Sequence, residues 1–350
     1  LYTDFREVID GITVYYFRNL TMLLVKKLKL FLTPQLILYA KEEIKKFDVI
    51  HLHEYRTFQN IIIRHYATKY GVPYVLQAHG SLPRVGSWRK LKLVYDVLFG
   101  YRLLKDVSKV IALSDVEAEQ YKIMGVPEDK IAIVPNGIDL SKYAELPPKG
   151  VFKKKFNIPE DKKIILYLGR IHKSKGIDFL TKSYAYLVKK MHFDDTILVI
   201  AGPDDGYLKE AKKVVTSLGV LSETVFTGPL TEGEKLSAYV DAHLVVNVEP
   251  RNVFGLVPLE AAACGKPVIV SQGNGIKEII RQGEFGFSVK YGDVKRLAEI
   301  IAQMLENDYL REKMGENGRR FVFKNFSWRR IIEIYEEVYD DAMKSENSRS

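Results

Sequence analysis

The chain has 350 residues, of which 47% are hydrophobic and 28% charged, and its formal net charge at neutral pH is +9. The composition excludes a disordered or fibrous chain, no run reaches the roughly 18 apolar residues that a membrane-spanning helix needs, and the length predicts two domains. The single cysteine, Cys264, excludes an internal disulfide framework and fits a cytoplasmic protein.

The first predicted element is a β-strand over residues 11–18, where Ile12, Val14 and Tyr16 alternate with other residues. A doubly wound α/β domain normally opens with a strand, a glycine-rich turn and a helix. No such unit precedes this strand in the sequence. We therefore expect the first domain to be short of one or two strands and to expose a sheet edge there.

The next segment, residues 20–38, combines many leucines with Lys26, Lys27 and Lys29, and Pro34 limits any single helix in it. Basic residues recur further along the chain at Arg84, Arg89, Lys90 and Lys92. Two interpretations stay open: a peripheral contact with an anionic membrane that carries a lipid-linked acceptor, or a pair of helices packed on the sheet. The basic surplus of residues 1–150 also suits a phosphorylated substrate.

Short apolar runs then alternate with amphipathic segments through most of the chain. This alternation predicts two parallel sheets covered by helices on both faces, one in each domain. The predicted helices include residues 176–190, 206–218 and 294–305. The predicted strands are residues 49–52, 73–78, 110–113, 131–134, 164–168, 196–201, 225–227, 244–248, 267–270 and 287–289.

Turn-forming residues predict where the domains meet. Pro135, Asn136 and Gly137 form a turn sequence, and a stiff polar connector follows at residues 147–150. Ser327 can cap a last amphipathic helix. We expect a first domain over residues 1–145, a second over residues 146–326, and a final helix over residues 327–350 that returns to the first domain.

Three segments carry candidate chemistry. In residues 249–260, a helix that starts near Gly255 would aim free N–H groups at the preceding loop, and Glu260 could bind a ribose diol. In residues 168–176, Arg170 and Lys175 flank a loop at the carboxyl end of a strand and could hold a diphosphate. His79 follows another strand and could bind a hydroxyl or a phosphate.

Each of these segments also has an ordinary interpretation. The loops could be a solvated helix start and a solvated basic loop, and a lone histidine is more often structural. His51, His53 and Glu54 suggest a metal site, but no zinc-binding motif accompanies them, and we expect none. No G-x-G-x-x-G follows any strand, which argues against a nicotinamide-dependent enzyme.

Taken together, the segments resemble glycosyltransferase family four, whose fold is the two-domain GT-B architecture with the domains facing a cleft. The resemblance runs through nearly the whole chain, and the order and spacing of its motifs carry it. They are Asp48–His53 (DVIHLH), Gln77–Gly80 (QAHG), Val134–Asp139 (VPNGID), Gly169–Ile171 with Lys175–Gly176, Ala201–Pro203 (AGP), Phe226–Pro229 (FTGP), Asn252–Leu256 with Glu260, and Phe326–Trp328 (FSW).

The resemblance implies a retaining, metal-independent hexosyltransferase that needs no cofactor. It implies a UDP-, GDP- or ADP-sugar as donor and a glycan or lipid-linked molecule as acceptor. It implies no binding of nucleic acid. Arg170 and Lys175 match the diphosphate clamp, and His79 matches the histidine that reaches the transferred sugar. Glu260 matches the ribose-binding glutamate of an E-x7-E motif. The other residues matching donor-binding positions are Gly169, Asn252, Val253, Phe254, Gly255, Leu256, Gly202, Pro229 and Leu230.

Two departures from the family pattern bear on the function, and one is that the family's first strand and glycine-rich loop have no counterpart ahead of the strand over residues 11–18. The first glutamate of E-x7-E falls at Asn252, which can bind sugar hydroxyls but supplies no negative charge, and we expect Glu249, three residues earlier, not to substitute for it. Two alternatives therefore stay open besides a transferase. One is a nucleotide-sugar epimerase or a phosphorylase of the same fold. The other is a nucleotide- or carbohydrate-binding remnant with little transfer activity.

Overall fold

The computed structural model describes residues 5–20, 31–86 and 88–347. Its contacts divide the chain into two compact units. The first comprises the residues up to Val134 together with those from Ile332 onward, and the second is Pro135–Ile331. Residues 21–30, which hold most of the apolar and basic segment discussed above, lie outside the described residues.

The first unit opens with a β-hairpin rather than with a strand of its main sheet. Strand β1 (Phe5–Ile9) pairs with β2 (Ile12–Tyr16) in antiparallel register, so that Phe5 faces Tyr16 and Ile9 faces Ile12. The expected strand over residues 11–18 is therefore present, but its assignment to the doubly wound sheet is wrong. Asp10 and Gly11 both have positive φ values, as a tight two-residue turn requires.

The main sheet of the first unit has four parallel strands in the order β3-β4-β5-β6. Their continuous apolar character reflects burial on both faces, since every residue of Tyr74–Gln77 is buried. The core between sheet and helices includes Leu76, Tyr121 and Val110. The elements are β3 (Ile50–His53), β4 (Tyr74–Gln77), β5 (Lys109–Ala112), β6 (Ile131–Ile133), α1 (Gln35–Glu43), α2 (Phe58–Tyr70), α3 (Arg89–Tyr95), α4 (Tyr101–Asp106) and α5 (Asp115–Ile123).

The second unit contains a six-stranded parallel sheet in the order β12-β11-β10-β7-β8-β9. The chain starts in the middle at β7, builds outward to β9, and then crosses back to place β10 on the other side of β7. The strands are β7 (Lys163–Leu168), β8 (Thr196–Ala201), β9 (Thr224–Gly228), β10 (Ala242–Asn247), β11 (Val268–Ser271) and β12 (Gly286–Val289). This doubly wound topology is the one that the sequence predicts.

Helices cover this sheet and bury their apolar faces against it. Helix α7 buries Phe179, Leu180 and Tyr184, and α12 buries Leu297, Ile301 and Met304 in the same core. The helices are α6 (Val151–Lys155), α7 (Ile177–Met191), α8 (Leu208–Ser217), α9 (Glu232–Asp241), α10 (Leu256–Ala263), α11 (Lys277–Gly283), α12 (Val294–Glu306) and α13 (Asp308–Asn325).

The last helix, α14 (Trp328–Asn347), starts in the second unit and continues into the first. Ser327 accepts a hydrogen bond from the Arg330 amide and so caps its first turn. Further along, the Tyr339 hydroxyl contacts His51 and the Tyr335 hydroxyl donates to Gln77, both within the first unit. None of the helices described is long and apolar enough to cross a bilayer.

Candidate active site

The candidate site lies where the sheet of the second unit changes its winding direction. Strands β7 and β10 are neighbours, yet their continuations leave toward opposite edges of the sheet. Loops that follow such a pair of strands diverge and leave a crevice at the carboxyl ends, where ligands bind in open α/β sheets. A cavity of about 290 Å³ occupies this place, lined among others by Gly169, Arg170, Lys175, Asn247, Glu249, Asn252, Phe254, Gly255, Leu256 and Val257.

Three lining side chains of the cavity are joined by hydrogen bonds. The ammonium of Lys175 lies 2.9 and 2.8 Å from the two carboxylate oxygens of Glu249. Asn252 donates from Nδ2 to Glu249 Oε2 at 3.0 Å. The pair is largely buried, with side-chain exposures of 23% for Lys175 and 11% for Glu249. The protein therefore holds one cation in position by a fixed carboxylate, beside an amide.

The amino terminus of α10 supplies the second polar wall. Asn252 Oδ1 accepts a hydrogen bond from the Phe254 amide at 3.1 Å and fixes the turn that leads into the helix at Leu256. The amides of a first helical turn have no intrahelical acceptor, and Gly255, Leu256 and Val257 line the cavity. Free N–H groups and the positive end of a helix dipole thus face the same space as Lys175, an arrangement that suits an anion.

Two glycines allow the loops around the cavity to approach each other. Gly176 ends the loop after β7 with a φ of +74°, and a Cβ there would overlap the carbonyl oxygen of Val248. Gly202, after β8, packs in the same way on the carbonyl of Gly169. Only a residue without a Cβ fits these contacts, so backbone crowding sets the position of the loop that carries Lys175.

Arg170 pairs with a different carboxylate from Lys175. Its guanidinium lies 2.5 Å from the Asp205 carboxylate, and its side chain is 63% exposed. Its carbonyl accepts a hydrogen bond from the Tyr167 hydroxyl at 2.9 Å, which ties the loop to β7. The structure therefore places both predicted clamp residues on the cavity wall. Of the two, Lys175 is the one whose partner carboxylate is largely buried.

Glu260 stands on the first turns of α10 and bonds to the neighbouring helix. It accepts from the Tyr239 hydroxyl at 2.7 Å and lies 3.4 Å from the Lys235 ammonium. It does not line the cavity around Lys175. Gly202 follows β8, while Pro229 and Leu230 follow β9 at the same end of the sheet, with Pro229 exposed. Val253 is half-buried in the loop before α10.

His79 belongs to a cluster of three histidines in the first unit, where it follows β4 with a φ of +50°. Its Nε2 lies 2.8 Å from His53 Nδ1, and the His53 ring stacks on that of His51 at 4.2 Å. Partial burial lowers the pKa of all three imidazoles. The pKa of His51 falls to about 3, because burial and the neighbouring histidines both oppose its charged form.

Sequence reasoning missed several members of these clusters. Glu249 was named in the sequence only as an unlikely substitute for the missing glutamate, and its contacts with Lys175 and Asn252 were not predicted. Asn247 and the buried Asn274 hydrogen-bond at 3.3 Å below that loop. His53 pairs with His79. The H-x-H spacing could have indicated the last contact, because alternate residues of a strand share a face.

The predicted absence of a metal site concerns His51, His53 and Glu54. Within the described ranges, no group of three or more His, Cys, Asp or Glu side chains has an arrangement that could hold a metal ion. The histidine cluster instead makes hydrogen bonds and ring contacts with its neighbours.

Two family models match the chain. The model described as "Glycosyl transferases group 1" matches residues 149–321. The model described as "Glycosyltransferase Family 4" matches residues 4–142. The first match contains the whole cavity, and the second contains the histidine cluster.

Curated proteins and solved structures agree with these models. An uncharacterised glycosyltransferase of Methanocaldococcus jannaschii is 28% identical over 97% of this chain and 87% of its own length. A D-inositol 3-phosphate glycosyltransferase of Actinosynnema mirum is 27% identical over 87% of this chain and 74% of its own. The crystal structure of Anabaena HepE in complex with UDP and glucose superposes with a TM-score of 0.74 at 20% identity, covering 94% of this chain and 86% of that one.

Proposed function

The chain belongs to the family 4 glycosyltransferases and has their GT-B fold, and on that premise we propose that it transfers a hexose from a nucleotide-diphosphate sugar to a glycan or lipid-linked acceptor. The proposal includes retention of the anomeric configuration and independence from metal ions. Its donor would be a UDP-, GDP- or ADP-sugar. The complex of Anabaena HepE with UDP and glucose supports UDP as the first choice for testing.

One observation carries the proposal. Lys175, fixed by Glu249, and the first-turn amides of α10 face a single cavity at the switch point of the second sheet. A diphosphate there would meet a fixed ammonium and several N–H donors at once. Donors that are held in place before charge develops stabilise a transition state strongly, because they need not reorganise during the reaction.

The proposed reaction breaks the bond between the anomeric carbon of the sugar and an oxygen of the diphosphate. The electron pair of that bond leaves with the diphosphate, whose growing charge Lys175 and the α10 amides stabilise. The acceptor hydroxyl attacks the same face of the sugar and passes its proton to the leaving phosphate. This route needs no pair of catalytic carboxylates, in contrast to a double displacement.

The remaining residues receive roles by proposal. Glu260 would bind the ribose, and its bonds to Tyr239 and Lys235 would orient its carboxylate. Arg170 would bind the diphosphate in place of its exposed partner Asp205. Asn252 would bind sugar hydroxyls, and His79 would contact the transferred sugar. The lone cysteine, Cys264, is buried and unpaired, which supports a cytoplasmic location, with the inner membrane face as the site of a lipid-linked acceptor.

The experiment that tests this function has two parts. Thermal unfolding is first measured against a panel of nucleotide sugars, since a ligand at about 100 times its Kd adds about 2.7 kcal/mol of stability. The stabilising donor is then incubated with and without candidate acceptors, and the products are analysed. Lys175→Ala should lower turnover roughly 10²-fold or more, whereas Lys173→Ala, an exposed cation in the same loop, should not.

The outcomes separate the alternatives. A glycosylated product that forms only with acceptor supports the transferase, and an altered free nucleotide sugar without acceptor indicates an epimerase. Donor binding without any product indicates a binding remnant. Full activity of Lys175→Ala would show that the cavity is not the donor site.

A further inference from the structure

The first unit contains a long helical segment, one face of which does not pack against the core. Helix α3, a π-helical turn at Asp96–Gly100 and helix α4 continue one another without a break in helical backbone. We call this segment, residues 89–106, the outer helix. At 1.5 Å per residue it is about 27 Å long.

One side of the outer helix is firmly anchored. Asp96 is fully buried and receives two hydrogen bonds of 2.8 Å from Arg56 and one of 3.1 Å from Arg84. Gly100 packs so closely on Tyr55 that a Cβ would overlap the Tyr55 hydroxyl. Leu103 and Leu104 complete the buried side. These contacts fix which face of the helix turns outward.

The outward face is apolar to an unusual degree. Its exposed fractions include 60% for Val97, 56% for Leu91, 53% for Leu98 and 52% for Trp88, which precedes the helix. Leu91, Val94 and Leu98 follow the spacing of three or four residues that aligns side chains along one helical face. Single exposed apolar residues are ordinary, but a continuous patch marks an interaction surface. The other large apolar side chains exposed on the outer helix are Leu93, Val94, Phe99 and Tyr101, and Val85 is exposed in the loop before it.

The charges of this face have one sign. Arg89, Lys90 and Arg102 are exposed, and Lys105 follows in the last turn. The two acidic residues of the outer helix, Asp96 and Asp106, are both paired with arginines, and Asp96 is fully buried. A second copy of this chain would oppose the same cations to one another across a two-fold interface. A surface that is both apolar and anionic complements the face better.

We propose that the outward face of the outer helix, together with Val85 and Trp88, docks on an anionic lipid bilayer. The apolar stripe enters the boundary between headgroups and acyl chains, and the flanking Arg and Lys side chains bind lipid phosphates. The proposal deepens the proposed function, because it names the surface that would meet the membrane carrying a lipid-linked acceptor. It can be tested without donor or acceptor, so its failure leaves the transfer reaction untouched.

The test measures binding of the full chain to vesicles of phosphatidylcholine alone or of equal parts phosphatidylcholine and phosphatidylglycerol. We expect binding to the anionic vesicles, weakened by salt. Val94→Glu combined with Leu98→Glu should lower the affinity at least about tenfold, since it places charges within the apolar stripe. Arg89→Gln combined with Lys90→Gln should lower it about tenfold or more for anionic vesicles only.

Ile123→Glu is the matched control, because Ile123 is 75% exposed on α5 of the same unit but lies outside the patch. Circular dichroism verifies that each variant folds. The chain has two tryptophans, so a blue shift of fluorescence in Trp328→Phe reports Trp88 entering the bilayer. Three results overturn the proposal: no binding to anionic vesicles, equal binding of the Val94/Leu98 variant, or a wild-type dimer that this variant splits into monomers.

Discussion

At the scale of single residues, Glu249 and Asn252 form a pair whose members depend on each other. The Asn252 amide donates to the carboxylate that also holds Lys175. A glutamate at position 252, which the family pattern would place there, would bring a second carboxylate against the first. Like charges at that distance destabilise each other, and both would compete for the same ammonium.

We therefore predict that Asn252→Glu weakens donor binding about tenfold. The double variant Glu249→Asn/Asn252→Glu, which exchanges the two residues, should recover most of this loss. The coupling energy between the two positions should be about 0.5–3 kcal/mol. Donor affinity measured by calorimetry for the two single variants and the double variant gives the coupling. Arg251→Gln, the same change of charge at an exposed neighbour, should bind normally. Additive losses in the double variant would show that the two side chains act separately.

His51 provides a prediction about pH. Burial and neighbouring histidines hold its pKa near 3, so above about pH 6.5 the folded and unfolded states are both neutral. As the pH falls below 6.5 only the unfolded chain takes up the proton, and stability is lost until the folded-state pKa is reached. His53, His79, Tyr335 and Tyr339 surround the ring.

Wild type should lose stability between about pH 7 and pH 5 because the unfolded chain takes up a proton at His51. We expect His51→Gln to make this loss smaller by about 2 kcal/mol. Urea unfolding of wild type and variant at the two pH values measures the difference. His65→Gln is the control, because His65 is exposed in the same unit. An unchanged pH dependence in His51→Gln would mean that the ring is protonated in the folded state.

At the scale of elements, the loop after β7 is held by Gly176. Alanine at a left-handed position costs roughly 1–2 kcal/mol in any loop. At Gly176 it would also overlap the Val248 carbonyl and push apart the loops that carry Lys175 and Glu249. We predict that Gly176→Ala lowers turnover roughly 10²-fold, as small displacements of catalytic groups do.

Gly206 supplies the comparison for this change. Its φ of +81° is similar, but a Cβ there would meet nothing within 4 Å. Gly206→Ala should therefore lose a similar amount of stability through backbone strain and keep its turnover. Equal turnover in the two variants would contradict the proposed role of the close contact.

The elements also explain what the sequence can and cannot predict. Strands such as Thr196–Ala201 are buried at every residue, and such burial leaves a continuous apolar run that marks the strand. Strand β1 was missed because Phe5 and Val8 are exposed in a hairpin outside any core. The sequence drew attention to the basic residues of the outer helix but did not predict the helix itself, because its exposed apolar residues hide the amphipathic pattern.

The candidate site also contains residues that the sequence could predict and residues that it could not. Lys175 and Asn252 were found because each stands in a recognisable motif. Glu249 was not connected to them, because its contact with Lys175 depends on β10 lying beside β7. Residues 74 positions apart become neighbours only when the chain crosses back through the sheet, and periodicity within a segment carries no information about that crossing.

At the scale of the whole molecule, the proposed chemistry draws its positive charge from the protein itself. Lys175, Arg170 and the amino terminus of α10 would offset the charge of the leaving diphosphate. We predict that turnover in excess EDTA equals turnover with added Mg²⁺, measured on one donor and acceptor pair. A strict requirement for Mg²⁺ or Mn²⁺ would contradict this prediction.

The crowded glycines have a consequence for altering the donor preference of this protein. Gly176, Gly202 and Gly273 each have a carbonyl oxygen from a neighbouring loop in the space of a Cβ. A library that extends into the loops around the cavity and randomises these three positions would lose most of its members there, whatever sugar is offered. Randomising Leu256 and Val257, whose side chains belong to the cavity lining, keeps the backbone frame and varies only the wall, so the tolerated diversity should concentrate there.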